Sequence, residues 1–521
     1  MKTFPKILAL VLVAVMSLAL LGGIAAGDSS TEGVKLSLWI IFPSNAAMLM
    51  QSFEDNFAWQ KMQADTGIDI EFQSPPIGQE AEQLQLILSS GNYPDMIQFN
   101  AYAGSATYPG GAVKAVEDGV YLRLNELIAE HAPNFTNVIE SDIRFKQQIM
   151  TDDGLIWGMG MLETDPQTCY QGPVVRQDWM DDLGLEAPVT IEDWYNVLTT
   201  FRDEKDAKSP WFMPASGKAE CFMWAYDLAP GGPTGEWLQR DGKVVYSYAD
   251  PGYLEYLTEM NKWYNEGLFL KDFTTGDYVR QNQELTEGNV GAYYQGFWMF
   301  TIDETMVHEK DPNFVAMPVT IPIKDADSTT KIRILEPNYR GFDTVITGSC
   351  ENPVAAMKFL DYGYSDEMYM ASNYGTLGKT YNMVDGKPVF TDYMLNNPDG
   401  FDLNQLMNME CQQAGSFVRD WACYFVGYSP AANLTLTLWD GSTEHLMLER
   451  LLSFTAVEGG LNATLMSDIK TYVDEMIVKF IKGEEPLSNW DSYLNTIYGM
   501  GLAEVEANYQ AAYDRYLQRG K

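Results

Sequence analysis

Histidine and cysteine are both scarce in this chain. Only His131, His308 and His445 occur in 521 residues, which leaves little material for a histidine-based catalytic triad or metal centre. The five cysteines form no CxxC pair, so neither a disulfide framework nor a zinc site is expected. The motifs HExxH, GxSxG, Walker A and GxGxxG are also missing. We therefore predict a chain that is not an enzyme and that holds no metal and no cofactor.

Basic residues are also scarce, with 34 lysines and arginines against 72 acidic residues and a net charge of −38. This charge repels nucleic acids and anionic membranes, so we expect neither as a partner. Long apolar runs are confined to the start of the chain, where Lys2 and Lys6 precede an apolar stretch at 7–21. The pattern predicts an export signal peptide over 1–26, followed by a polar leader over 27–33. The mature chain is therefore expected outside the cell.

The chain does contain an alternation of short apolar strands and amphipathic helices. At 521 residues it exceeds the size of one simple core, so two lobes are expected. Residues 34–41, 68–72 and 96–99 are predicted as strands, with helices between them. The predicted fold class is α/β, with mixed sheets flanked by helices.

Residues 176–202 show this alternation clearly. Asp178 is predicted to cap a short helix that Gly184 ends, and Thr190 to cap a second helix in a near capping box with Asp193. The apolar residues of the second helix fall on one face, which predicts packing on a core. These residues are Ile191, Trp194, Leu198 and Phe201.

The same segment resembles a signature of the bacterial extracellular solute-binding proteins, the receptor subunits of ABC importers. Other stretches resemble motifs of that family in the same order, namely 84–95, 153–158, 264–268, 287–298, 373–381 and 509–516. The last of them, Tyr-Gln-Ala-Ala-Tyr-Asp-Arg-Tyr, is similar to the terminus of a branch whose receptors usually serve importers of oligosaccharides.

The resemblance implies a two-lobe periplasmic-binding-protein type II fold, in the maltose-binding-like group, with a helical C-terminal extension. The implied boundaries are 34–155 plus 338–372 for lobe 1, 156–337 plus 373–521 for lobe 2, and hinge crossovers near 155–162, 330–338 and 370–376.

The resemblance also implies a function. It predicts a monomeric extracellular receptor that captures an oligosaccharide in a cleft between the lobes and delivers it to the transmembrane subunits of an ABC permease. Ile24 stands where many relatives carry a lipidated cysteine, so no lipid anchor is predicted. Residues 203–210 lack the glycine and the trailing acid of the relatives' calcium loop, so no calcium site is predicted.

Aromatic residues supply the candidate binding site. Sugar receptors need flat aromatic platforms and planar polar side chains, and the chain has 13 Trp, 30 Tyr and 24 Phe. Trp298 follows Gly296 as the stacking tryptophan does in the similar motif of maltose-binding proteins, and Arg340 is expected to bridge hydroxyls or a uronate carboxylate. The other predicted ligand-binding residues, most of them near strand ends or crossovers, are Trp39, Phe42, Trp224, Glu336, Tyr339, Tyr374 and Trp439.

Two alternatives remain open from the sequence. The family motifs are structural and do not encode the ligand, so a receptor for peptides or another small solute is the first. The second is a secreted glycan-active enzyme or glycan-adhesion module, because adjacent acids such as Asp181 and Asp182 are compatible with a glycosidase pair.

Overall fold

A computed structural model gives the fold of most of the chain. The described residues are 31–99, 108–109, 111–163, 169–231, 235–329, 331–332, 337–341, 343–439 and 446–521, without the side chains of Asn45 and Tyr424. The predicted signal peptide and the predicted site residue Glu336 lie outside these ranges.

Short strands recur along the whole described chain. In chain order they are β1 (Val34–Trp39), β2 (Ile68–Gln73), β3 (Met96–Phe99), β4 (Leu162–Glu163), β5 (Gln171–Arg176), β6 (Ser209–Trp211), β7 (Trp237–Arg240), β8 (Lys243–Tyr246), β9 (Val290–Gly296), β10 (Ala316–Pro318), β11 (Asp343–Ile346), β12 (Tyr381–Val384), β13 (Lys387–Phe390) and β14 (Val418–Arg419).

Helices connect and cover these strands. In chain order they are α1 (Phe57–Thr66), α2 (Glu80–Ser90), α3 (Gly111–Glu117), α4 (Asn125–His131), α5 (Pro133–Glu140), α6 (Ile143–Ile149), α7 (Gln177–Leu183), α8 (Ile191–Lys205), α9 (Glu220–Ala225), α10 (Pro251–Glu266), α11 (Tyr278–Thr286), α12 (Phe300–His308), α13 (Pro353–Tyr362), α14 (Asp366–Tyr374), α15 (Asp392–Leu395), α16 (Leu403–Glu410), α17 (Ala422–Phe425), α18 (Pro430–Leu438), α19 (Ala456–Lys482), α20 (Trp490–Gly499) and α21 (Leu502–Tyr516).

The chain forms two compact units, as the predicted two-lobe α/β fold requires. Unit 1 comprises the described residues up to 137 together with those of 157–160 and 341–417. Unit 2 comprises 138–156, 161–340 and 418–521. Each unit has its own four-stranded sheet.

The sheet of unit 1 has the strand order β2-β1-β3-β11. β1 is parallel to both of its neighbours, and β11 runs antiparallel to β3. All four residues of β3 are buried, as expected for a strand that is covered on both faces. β1 and β3 end at one edge of the sheet, at Trp39 and Phe99, where Asp343 of β11 pairs with Phe99.

The sheet of unit 2 has the order β10-β5-β9-β6, with β6 parallel to β9 and the other pairs antiparallel. Helix α8 packs on it through Phe201, which lies against Gly291 of β9. A Cβ atom at Gly291 would lie only 2.3 Å from Cδ2 of Phe201, so the glycine allows this close approach of helix and strand. The predicted core face of α8 is confirmed, since Ile191, Trp194, Leu198 and Phe201 are all buried.

The predicted capping box of α8 is confirmed, but the predicted cap of α7 is wrong. The backbone N–H of Asp193 donates to Oγ1 of Thr190 at 3.1 Å, and the N–H of Thr190 donates to Oδ2 of Asp193 at 2.8 Å. Helix α7 begins at Gln177, so Arg176 occupies its N-cap position without a side-chain cap hydrogen bond and Asp178 lies in its first turn. The Asp178 carboxylate accepts from Nε of Arg176 at 2.9 Å.

The units divide the chain differently from the predicted lobes. Residues 373–417 belong to unit 1, where Nδ2 of Asn56 donates to the carbonyls of Asn408 and Cys411, each at 2.8 Å. Residues 138–156 belong to unit 2, where Nε of Arg519 lies 2.7 Å from Oδ1 of Asp152. Contacts made far along the chain therefore set both boundaries.

The C-terminal residues form the predicted helical extension, which belongs to unit 2. Helix α19 buries an apolar stripe at helical spacing, formed by Ile469, Val473, Met476, Ile477 and Phe480. Helix α19 packs against both α10 and α21. Over the described ranges, every helix is too short or too polar to cross a membrane.

Candidate ligand-binding site

Trp298 lies on the surface of unit 2, directly after β9. Its side chain is 38% exposed, and its ring centroid lies 5.8 Å from that of Tyr170 at an interplanar angle of 38°. Gly296 is needed beneath it, because a Cβ atom there would lie 2.6 Å from the indole ring. The strand end therefore presents a partly exposed flat aromatic surface.

A second layer of aromatic rings supports this position from the segment after β14. The buried ring of Phe297 lies 4.6 Å from Phe425 and 4.9 Å from Tyr428, measured between centroids. Phe297 itself meets Trp298 edge to face at 5.3 Å. Edge-to-face and tilted packing of this kind fixes ring orientation as well as burying area. The indole of Trp298 is therefore held on a rigid base.

A cluster of polar side chains lies in the same unit, where β4 pairs with β14. Glu163 is 1% exposed, and its carboxylate accepts a hydrogen bond from the indole N–H of Trp421. Nε of Arg340 lies 3.5 Å from Oε1 of the same carboxylate. Nδ2 of Asn338 donates to the backbone carbonyl of Glu163 at 2.7 Å, which fixes the strand position. One buried carboxylate thus holds both a guanidinium and an indole.

The aromatic and polar groups are continuous in sequence, because Trp421 immediately precedes α17 and Phe425 ends it. We call the combined set the Trp298 surface. It consists of Glu163, Tyr170, Phe297, Trp298, Arg340, Trp421, Phe425 and Tyr428. Trp298 and Arg340 were among the candidates from the sequence and the other six residues were not, although the aromatic density of residues 417–428 was a visible signal.

Three predicted site residues lie in unit 1 and pack in its interior. Trp39 is 3% exposed within an apolar cluster at the end of β1, and Phe42 is packed edge to face on Phe53 at 5.4 Å. Tyr374 lies against Phe390, with ring centroids 5.5 Å apart. These rings fill the core in this conformation and present no open face to a ligand.

Of the remaining predicted residues, Trp224 and Trp439 are enclosed in unit 2. Trp439 is fully buried and donates from Nε1 to the Val319 carbonyl at 3.0 Å, while Trp224 is 1% exposed. Tyr339 is mostly buried and pairs through its backbone with Leu162. We therefore take these rings as core residues. Packing from distant segments overrode the loop-like appearance of their sequences.

Unit 1 contains a further group that sequence reasoning missed. Trp157 is partly exposed and lies parallel to Phe99, with an interplanar angle of 7° and centroids 6.3 Å apart. Nearby, Asp343 is buried at the strand edge, and burial raises the pKa of its carboxyl to about 8. Among the described residues, neither Oδ1 of Asp343 nor the hydroxyl of Tyr121 has a hydrogen-bond partner. These are the polar and aromatic groups that unit 1 gathers near the end of β3.

A separate polar groove of about 800 Å³ lies in unit 1 at the amino end of β2. Two of its acids are engaged within the protein, since Asp361 accepts from Nδ2 of Asn134 at 2.9 Å and Asp65 accepts from Nζ of Lys61 at 2.6 Å. None of the predicted site residues lines this groove. We therefore assign no ligand to it.

Comparison with known families gives one match that covers most of the chain. The family described as bacterial extracellular solute-binding protein matches residues 47–370. That match takes in the sheet of unit 2, the strands β2, β3 and β11 of the sheet of unit 1, the Trp298 turn and Arg340.

Two curated relatives are similar over long stretches. The polygalacturonan/rhamnogalacturonan-binding protein YtcQ of Bacillus subtilis is 25% identical over 301 residues, which are 54% of this chain and 56% of YtcQ. The chain therefore spans little more than half of that relative. The fructooligosaccharide ABC transporter substrate-binding protein FusA of Streptococcus pneumoniae is 23% identical over 403 residues, 72% of each chain.

A solved structure shares the fold. The solute-binding protein associated with an HMO-binding ABC transporter of Bifidobacterium longum infantis superposes with a TM-score of 0.71. The match covers 93% of this chain and 99% of the other at 15% identity, so it supports the architecture alone.

Proposed function

Since the chain belongs to the bacterial extracellular solute-binding protein family, we propose that it captures an oligosaccharide for an ABC importer. Proteins of this family are receptors and not enzymes, which removes the glycosidase alternative raised by the acid pairs. We propose the class of ligand, its capture by this protein and its delivery to permease subunits. Capture in a cleft between two lobes, and secretion by a signal peptide, stay predictions from the family resemblance.

The Trp298 surface is the observation that carries this proposal. A sugar ring presents apolar C–H groups on its faces and hydroxyls around its edge. The exposed part of Trp298 supplies a flat apolar face, held in place by Tyr170 and Gly296. Arg340, whose side chain is 18% exposed, supplies donors for charge-assisted hydrogen bonds to hydroxyls, and the buried carboxylate of Glu163 orients it. Both requirements of a sugar site therefore occur together in unit 2.

The names of the relatives support the same ligand class. YtcQ is described as binding polygalacturonan and rhamnogalacturonan, and FusA as belonging to a fructooligosaccharide transporter. Both ligands are chains of sugar units, although their chemistry differs. Short peptides are the competing ligand class, and they belong in the same test.

The first experiment is calorimetric titration and thermal unfolding of the mature protein with a panel of oligosaccharides and short peptides. A ligand present at a hundredfold excess over its dissociation constant stabilises the folded form by about 2.7 kcal/mol, so binding is visible as a higher midpoint. Trp298→Ala should weaken the affinity for that ligand about 10-fold or more, because an aromatic anchor is lost.

Tyr498→Ala is the matched control, since Tyr498 is 43% exposed on α20 of the same unit. We expect it to leave the affinity unchanged. Stabilisation by peptides alone, or an oligosaccharide affinity that Trp298→Ala does not alter, contradicts the proposal.

A further inference from the structure

Arg340 of the Trp298 surface is paired with a buried carboxylate. Its Nε lies 3.5 Å from Oε1 of Glu163, and the parallel pairing of β14 with β4 sets Arg419 opposite Glu163. Glu163 and Arg419 are both buried, at 1% and 7% exposure. The positive charge of Arg340 is therefore balanced by a negative charge that is itself shielded from water.

This balance matters for a ligand that carries carboxylates. Arginine binds a uronate best through a bidentate contact with an uncompensated guanidinium. Here the carboxylate of Glu163 already lies 3.5 Å from Nε of Arg340 and is enclosed by protein. A ligand carboxylate at Arg340 would place a second negative charge beside a buried one, which is strongly unfavourable at low dielectric.

A neutral sugar meets no such penalty. A hydroxyl carries no charge, so it can accept a hydrogen bond from Arg340 without placing a second negative charge beside Glu163. The field of the whole protein acts in the same direction, because a net charge of −38 repels a polyanion before contact. The short-range and long-range electrostatics thus favour the same ligand.

We infer that the ligand is an uncharged oligosaccharide and not a chain of uronic acids. The inference rests on the proposed function, and it narrows that function to one of the two ligand chemistries named for the relatives. It also gives Glu163 a role as a positioning residue. Its carboxylate sets the orientation of Arg340 and Trp421 and excludes anionic ligands from Arg340.

The test compares neutral trisaccharides with uronate trisaccharides. Galactotriose and trigalacturonate differ by a carboxylate at each C6, and kestose, maltotriose and trimannuronate extend the two sets. Affinities are measured by calorimetry at low and at high sodium chloride, because salt screens the long-range repulsion. We expect at least one neutral trisaccharide to bind about 100-fold or more tightly than every uronate at both salt concentrations.

Two variants identify the source of the discrimination. Glu163→Gln keeps an acceptor for the Trp421 indole and removes the negative charge of Glu163 from beside Arg340, so the ratio of neutral to uronate affinity should fall about 10-fold or more. Glu259→Gln is the control, because Glu259 accepts from the indole of Trp263 at 2.6 Å and pairs with Lys262 in the same way on α10. That variant should leave the ratio unchanged.

The outcomes separate the two proposals. Uronates that bind as tightly as neutral trisaccharides, or a ratio that Glu163→Gln leaves unchanged, overturn the neutral-ligand inference and keep the receptor for oligosaccharides. Binding of peptides and of no trisaccharide overturns the proposed function, and the inference fails with it.

Discussion

Asp343 offers a direct test of the energetics of unit 1. Burial raises the pKa of its carboxyl from 3.8 to about 8, and the opposing effect comes only from its own backbone N–H. The folded protein therefore keeps the Asp343 proton at pH values where the unfolded chain has lost it. Stability should fall as the pH rises, by about 1.4 kcal/mol per pH unit, until the folded group also ionises near pH 8.

Asp343→Asn removes this titration and keeps the shape of the side chain. Relative to that variant, the wild type should lose up to about 4 kcal/mol between about pH 5 and pH 8. Hydrogen exchange of peptides that cover β3 and β11 reports the opening free energy of unit 1 separately from unit 2. The measured quantity is the difference in that free energy between wild type and variant at each pH.

Asp303 is the matched comparison. Burial also raises its carboxyl pKa, but only to about 6, because Nε2 of Gln295 and the hydroxyl of Tyr293 donate to it. The opening free energies of wild type and Asp303→Asn, followed by hydrogen exchange in peptides of β9, should therefore differ in a pH-dependent way only up to about pH 6. The measurement would refute the reasoning if the opening free energies of wild type and Asp343→Asn differed by a constant amount from about pH 5 to pH 8. The Asp343 carboxyl would then have an ordinary pKa.

Two further substitutions test the packing and the ion pairs of unit 2, both by thermal unfolding. Gly291→Ala should destabilise the protein by about 1–3 kcal/mol, because its Cβ atom would overlap an aromatic ring, whereas Gly499→Ala in an open helical position should not. Asp152→Asn should cost about 2 kcal/mol, since it removes the carboxylate from the buried Arg519. Asp142→Asn, in an exposed pair, should cost less than about 1 kcal/mol. The burial argument would be contradicted if Gly291→Ala and Gly499→Ala changed the stability equally, or if Asp152→Asn and Asp142→Asn did.

Local features of this fold could be predicted from the sequence because neighbouring residues determine them. The capping box at Thr190 and the glycine stops at Gly184 and Gly267 depend on side chains within a few positions of the helix ends. The apolar faces of α8 and α19 follow from the helical period. Helices and their buried faces were therefore accessible without coordinates.

The site was less accessible because burial depends on distant segments. Trp298 and Trp439 both follow regular elements, yet Trp439 is covered by Gly172 and hydrogen-bonded to Val319, while Trp298 stays partly exposed. No pattern within either local sequence distinguishes them. The grouping of Glu163, Arg340 and Trp421 likewise depends on three separated stretches that meet only in the folded unit.

The late position of β11 has a consequence for the order in which the protein can fold. β3 ends at Phe99 and its edge partner begins at Asp343, so the 243 residues from 100 to 342 must be synthesised between the two halves of one ladder. Until then the apolar edge of β3 is unpaired, and such edges template aggregation. Fragments that stop before residue 343 should therefore aggregate, and unit 1, although begun first, is completed only after the sheet of unit 2.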